Sequence, residues 1–543
     1  MRIFSRLSFV ILLLSFFAGD SCAQEKVSAP APLIAAQIWG HVLADREGLS
    51  RFYHERGGKT FWVDDGELTS GAEDMIAEIS RSWTHGLNPE NYHLSALKNF
   101  EKMDLSGDKA MAADIVLSDG AARLARDLSG MRLSPRILEQ DTRSWSRGVD
   151  AYTYLKILEK EGGNPAALTE SFAPHTLEYK ALRASLEELA KDLAAQPEEA
   201  EKVIRYTGLI KHGVRHAAIP SIRKKLGVDA LAADKADLYD DDLKAAVMAF
   251  QTKNGLTPDG LIGKRSFAAI NQTRTQKLVK LIANLERRRW VMRPLPARYL
   301  AVNIPQMQLT AVDNNEMAFT MPVIVGRLER PTMSFVDVVE GVRFNPSWYV
   351  PDTIKAKDYL PELQKDPLAL EKKGIKFRVK DESGMHEALP QDIDWSKVTE
   401  ADLKSIQMKQ DPGEENVLGQ IRVLMPNQYD IYLHDTSSPK LFLKDDRALS
   451  SGCVRLSEPR KIADFILSHN AGWSAERLEK YLADKKTREL PVTKPLSVYL
   501  FYYTAWLDDA GDVIIGDDLY GADRALVAAL DKAGKIPFDN ILY

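Results

Sequence analysis

The sequence predicts a multidomain α+β protein. A helical N-terminal half, with a small three-helix module set into it, precedes a mostly β domain that carries a capping insertion. Three observations predict this. The chain has 543 residues, too many for a single hydrophobic core. Apolar residues recur at helical spacing through the first half, as in Ala72, Met75, Ile76 and Ile79. From Tyr299 the period changes to that of strands, at 299–304, 309–312 and 319–325.

Composition places the chain among ordinary soluble proteins, at 45% hydrophobic and 27% charged residues. A net charge of −5 argues against nucleic acid as a partner, because phosphate binding needs clustered Lys and Arg.

Residues 1–23 read as a secretory signal peptide. Arg2 and Arg6 flank the start of an apolar run at 7–18, and Ser21-Cys22-Ala23 offers small residues at −3 and −1, so cleavage is expected before Gln24. The run is shorter than the roughly 20 residues of a membrane span. Left uncleaved, it would serve as an inner-membrane anchor. Gly19-Asp20-Ser21 lacks the apolar residue that lipidation at Cys22 requires. Of the two cysteines, only Cys453 then remains in the mature chain, so no internal disulfide is expected.

Residues 24–205 read as an α-helical scaffold domain. His54, His85 and His93 are spread through turns without the convergence a metal needs, and are read as structural histidines. Residues 206–271 form a compact module. Ile219, Ile222 and Leu226 sit at helical spacing, an Asp run after Tyr239 can cap the next helix, and Leu243, Ala246, Val247 and Phe250 share one face of it. Ala246-Val247, Phe250-Gln251, Gly255-Leu256, Asp259-Gly260 and Gly263 make this stretch resemble the small peptidoglycan-binding module. Residues 272–298 read as a connecting helix of the scaffold, with Arg287-Arg288-Arg289 on its solvated face.

The β domain is expected over 299–506. The prolines in 344–351 forbid a central strand there. Residues 352–413 are charged and helix-and-loop in character, and read as an insertion capping the domain like a lid. Strands resume at 419–424 and 430–434, a last one spans 496–503, and a polar tail occupies 507–543.

The chemistry concentrates at His434 and, nineteen residues later, Cys453. Strand alternation sends Tyr429, Ile431 and Leu433 to one face and Asp430, Tyr432 and His434 to the other, so His434 is expected to leave the strand end towards an open side. Ser457 and Pro459 suggest a helix start just after Cys453, whose dipole would favour a thiolate, with His434 taking the proton. Gly452 permits an unusual backbone angle, and amides around Gly452 and Cys453 could face a developing oxyanion. On spacing alone, Cys453 is equally well read as a small buried hydrophobe.

Ser450-Ser451-Gly452-Cys453-Val454-Arg455, with the strand histidine His434, resembles the Ser-x-Gly-Cys-x-[Arg/Asn] motif of the L,D-transpeptidase (YkuD-type) catalytic domain. Val302-Asn303-Ile304-Pro305, Asn345-Pro346-Ser347-Trp348, Gln410-Asp411-Pro412-Gly413, Asn416-Val417-Leu418-Gly419 and Leu433-His434-Asp435-Thr436 bring it nearest the large periplasmic YcbB type, which also has a scaffold, a wall-binding module and a cap. One departure is Ser451, where much of the family has histidine.

The resemblance implies Cys453 as nucleophile, His434 as general acid/base and Gly452 as an oxyanion amide. It places Arg455, Ser450, Ser451, Tyr432, Trp348 and Asp435 around the substrate, although Arg455 could instead pin its loop and the aromatics could be core. It implies a thioester with tetrapeptide stems, release of D-Ala, 3→3 crosslinks, no metal or other cofactor, a periplasmic location, and peptidoglycan stem peptides and other cell-wall synthases as partners. Resolution of the thioester by water would make an L,D-carboxypeptidase. A wall-binding scaffold protein with an idle cysteine is the reading from another class.

Overall fold

The computed structural model describes residues 33–139, 143–197, 203–382 and 384–538. The expected signal peptide, with Cys22, lies outside them. Among the described residues, no helix is long and apolar enough to cross a membrane.

The scaffold is helical, as its periodicity predicts. Helices Arg46–Glu55, Ser70–Arg81, Asp108–Ser129, Ala151–Glu161 and Leu177–Ala195 pack round one core. The starts of four of these are set locally: the Asp45, Thr69, Asp150 and Thr176 side chains accept N–H bonds from their first turns. Helix Arg274–Trp290 belongs to the same core, with Leu281, Ile282 and Leu285 buried.

Two expectations fail in this region. The arginines are not solvated: Arg289 is fully buried and Arg287 nearly so. Arg289 pairs with Glu286 at 2.7 Å, Arg132 pairs with the same carboxylate at 2.5 Å, and Arg287 pairs with Asp523. Burial alone would raise the Glu286 carboxyl, but Arg132 and Arg289 pull it down to about 2. The region after 507 is not merely a polar tail either. Strands Ala505–Leu507 and Val513–Ile515 pair, and helix Ala522–Lys532 buries Leu526, Val527 and Leu530 in the scaffold core.

The three-helix module forms as expected from helices Ile219–Lys225, Asp241–Lys253 and Lys264–Ile270, and Asp240 caps the second. Gln251 ties its Asp-Gly turn by accepting from Gly260 N–H (2.9 Å) and donating to Leu261 O (3.0 Å). Thr257 and Arg265 then bond Asp445 of the β domain at 2.9 and 3.0 Å.

The β domain is a closed, barrel-like sheet. Its strands are β1 (Tyr299–Asn303), β2 (Gln308–Asp313), β3 (Glu316–Gly326), β4 (Phe335–Phe344), β5 (Ile421–Leu424), β6 (Leu433–His434), β7 (Ala448–Ser450), β8 (Val454–Leu456) and β9 (Arg488–Phe501). Their order is β7-β3-β8-β6-β5-β4-β9-β1-β2, and pairing of β2 with β3 closes the ring. Strand β4 escaped the sequence reading, although Phe335-Val336-Asp337-Val338-Val339 is β-rich.

The insertion is more ordered than expected. It builds its own antiparallel sheet from Ile375–Asp381, Gly384–Ala388 and Ile406–Gln410, with Trp348–Tyr349 as an edge strand, over a separate apolar core. The prolines flank that edge, where missing N–H donors are tolerated.

Candidate active site

Strands β6 and β8 run parallel, with Leu433 opposite Val454 and His434 opposite Arg455. Val454 N–H donates to Tyr432 O at 3.0 Å, so one step back along both strands Tyr432 faces Cys453. A two-residue strand and a three-residue strand thus bring together residues twenty-one apart in sequence.

The alternation holds, since Ile431 and Leu433 enter the barrel core while the Tyr432 and His434 rings lie together, 5.6 Å between centroids. The expected open side does not. His434 is only 4% exposed, and its buried Nδ1 has no hydrogen-bond partner. Burial, then the Arg455 guanidinium and more weakly Arg422, hold the imidazole down to about 3.

Cys453 is half-buried, its Sγ 3.7 Å from Asp430 O. Burial raises the thiol above its ordinary value. The Tyr432 amide and hydroxyl and the charges of Arg422 and Arg455 oppose this without reversing it. The expected helix begins only at Pro459, after β8, and its N-cap Glu458 makes no side-chain cap. Its dipole therefore does not act at the sulfur, because that effect fades within a turn. Both shifts favour the uncharged forms, a neutral thiol and a neutral imidazole, rather than a preformed ion pair.

The nucleophile turn is tightly held. Gly452 has φ +115°, where L side chains rarely go. Its N–H, expected to face an oxyanion, donates instead to Ser450 Oγ (3.1 Å), and that hydroxyl donates to Cys453 O (2.6 Å). Ser450 thus braces the turn. The Cys453 N–H makes no hydrogen bond among the described residues, and is the amide left to meet an oxyanion. Thr332 Oγ1 donates to Gly452 O at 2.7 Å, and Arg330 Nη1 donates to Ser451 Oγ at 3.0 Å.

The structure also places Asp435 and Trp348. Asp435 accepts from Gln420 N–H (2.8 Å) and Thr436 N–H (2.7 Å) and lies against Gly419, where a Cβ would meet its carboxylate at 2.3 Å. It fixes the strand end. Trp348 is 5% exposed within the cap core, beside Tyr359, because its strand pairs into the cap sheet. Tyr432 and Arg455 do adjoin the sulfur, and Tyr432 packs against both the barrel core and the cap core.

Family models match three stretches: a "Scaffold domain" at 47–186, a "Putative peptidoglycan binding domain" at 224–270 and an "L,D-transpeptidase catalytic domain" at 297–492. The last spans the barrel, the cap and both His434 and Cys453. The chain carries an L,D-transpeptidase catalytic domain.

A protein of Haemophilus influenzae (strain ATCC 51907 / DSM 11121 / KW20 / Rd) named "Putative L,D-transpeptidase" is 33% identical over 225 residues, 41% of this chain and 44% of that protein. The match thus spans less than half of that relative's length. Among solved structures, an L,D-transpeptidase from Xylanimonas cellulosilytica DSM 15894 is 13% identical, with 55% of this chain and all of that one covered, at a TM-score of 0.18. One from Stackebrandtia nassauensis is 10% identical over 56% and 97%, at 0.17. With scores so low, the fold rests on the family models and the strand order.

Sequence reading missed Arg422, Arg330 and Thr332 in the L,D-transpeptidase domain. Arg422 lies opposite His434 across β5 and β6, with its guanidinium carbon 3.9 Å from the Tyr432 ring centroid. The only signal for it was its place in the Ile421-Arg422-Val423 alternation, which puts an arginine on the face of His434.

Among the described residues, one cluster outside this site has metal-ligand chemistry. Glu78, His85 and Glu170 of the scaffold offer ligand atoms within 4.8 Å of one another. His85 is already bonded to Tyr179 (2.8 Å) and Glu170 (3.0 Å), and Arg183 neutralises Glu170. Glu78 is the remaining member, its carboxyl pushed up to about 7 by burial and by the neighbouring Glu170.

Proposed function

We propose that this protein is an exported, periplasmic L,D-transpeptidase that crosslinks peptidoglycan through a thioester on Cys453. The observation that carries the reading is the parallel β6/β8 register, which sets Tyr432 and His434 against Cys453 and Arg455 inside an L,D-transpeptidase domain.

His434 takes the thiol proton as Cys453 Sγ attacks the carbonyl of the third, diamino acid residue of a tetrapeptide stem. The tetrahedral oxyanion meets the Cys453 N–H. His434 returns its proton to the amine of D-Ala, which leaves, and a thioester remains. The side-chain amine of a diamino acid on a neighbouring stem then attacks, giving a 3→3 crosslink and the free thiol. The wall-binding module at 224–270 supports peptidoglycan as the substrate. Its bonds to Asp445 tie it to the loop between His434 and Cys453.

Purified protein incubated with tetrapeptide muropeptides should yield crosslinked dimers by mass spectrometry. Tripeptide products alone would make the enzyme an L,D-carboxypeptidase.

A further inference from the structure

Five strands lay one row of side chains across the outer face of the barrel. Register places Glu489 opposite Arg343, Arg343 opposite Arg422, Arg422 opposite His434 and His434 opposite Arg455. Directly opposed residues share a face of the sheet, and Ile421, Val423, Leu433 and Val454 fill the barrel core on the other. Glu489 neutralises Arg343. Arg422 and Arg455 have no such partner: neither forms an ion pair among the described residues, and the Nε of each is buried without a hydrogen bond.

The neighbouring carboxylates do not compensate. Asp435 is taken by two backbone amides, and Asp430 is exposed and pairs with neither arginine. Like charges in adjacent register cost stability, as do buried donors left unpaired. Two half-buried guanidiniums either side of His434, one of them stacked on Tyr432, therefore form a site with donors and charge to spare. The fork of arginine matches a carboxylate bidentately.

We infer that Arg422 and Arg455 form a clamp for the terminal carboxylate of the tetrapeptide stem. This rests on the acyl-transfer reading of Cys453. In such a stem the attacked carbonyl belongs to the third residue and the free carboxylate to the fourth. Holding that carboxylate beside His434 sets the departing amine next to the proton it needs. Each arginine is thus a specificity determinant that touches the leaving group.

The test is binding, separated from turnover. Full-length protein with Cys453→Ala is titrated calorimetrically with tetrapeptide stem ending in D-Ala carboxylate, and with the same peptide ending in carboxamide. The carboxylate form should bind about tenfold or more tightly, the scale of a hydrogen-bonded charge. Adding Arg422→Gln or Arg455→Gln should shrink that ratio to about threefold or less. Arg343→Gln, which removes an arginine already paired, should leave the ratio unchanged, and thermal melts report whether each variant folds. Equal affinity for the two peptides, or a ratio insensitive to both clamp substitutions, overturns the clamp. Failure of the transpeptidase reading looks different: the peptides bind with the predicted preference, yet the unmutated protein forms no thioester.

Discussion

Arg330 Nη1 lies 3.0 Å from Ser451 Oγ, and the same guanidinium grips Asp358 of the cap at 2.6 and 2.9 Å. Cap and nucleophile turn therefore share one side chain, which is only 12% exposed. Asp358→Asn keeps the shape of the contact and removes its charge. A partly exposed ion pair is worth about 1 kcal/mol, so cap opening should become roughly fivefold easier. Alkylation of Cys453 by a bulky maleimide should accelerate by about that factor. An unchanged rate would mean that the cap is held elsewhere.

Thr332 braces the same turn from below. Its hydroxyl donates to Gly452 O and accepts from Gly326 N–H at 2.9 Å. Thr332→Val conserves volume but strands both groups in a buried site, at about 1–3 kcal/mol. Acylation of Cys453 should fall about tenfold or more, while the melting temperature drops by only a few degrees. Equal acylation rates for both proteins would exclude Thr332 as a positioning residue.

The thiol is raised by burial, and the imidazole is held at about 3. The alkylation rate of Cys453 should therefore climb with pH through the ordinary thiol range near about 8.5, with no plateau below it. No step should appear near the usual histidine value of about 6.5. A plateau below pH 7 would instead reveal a preformed thiolate–imidazolium pair.

The depressed histidines also set the acid response. His434 titrates at about 3 and His85 at about 4 in the folded chain, both below the free value of 6.5. Between those limits the unfolded chain binds more protons than the folded one. Stability contributed by the neutral rings is thus complete above 6.5 and is lost as pH falls towards 4 and then 3. His434→Gln should flatten part of this loss in melting curves run from pH 7 to 4. Parallel curves for variant and wild type would contradict the assignment.

In the scaffold, Glu286→Gln leaves Arg132 and Arg289 buried around a neutral side chain. Breaking a buried ion-paired group costs about 3–5 kcal/mol, which urea titration would register directly. A shift under about 1 kcal/mol would mean that water or another carboxylate replaces it.

The helical half, the module and the strand period were legible in sequence because each follows from spacing of apolar residues. Partnership was not. Arg287-Arg288-Arg289 reads as a solvated stripe until Asp523, far off in the chain, pairs with Arg287, and Glu286, which Arg132 also grips, pairs with Arg289. Trp348 read as a cleft residue because its neighbours fall in a matching motif, yet β pairing to Gln410 takes it into the cap. Gly452 was recognised as conformationally special, but the direction of its N–H depends on the Ser450 hydroxyl folding back. Arg422 carried no motif, and only register reveals it beside His434.

The central claim is acyl transfer at Cys453, and the most direct measurement is the intact mass of the protein after brief mixing with a tetrapeptide stem and acid quenching. The account predicts a mass gain equal to the stem less its terminal D-Ala. It should sit on Cys453 by peptide mapping, be absent from Cys453→Ala and be strongly reduced in His434→Gln. An unmodified mass in the wild type while D-Ala is released, or an adduct that survives Cys453→Ala, would contradict it.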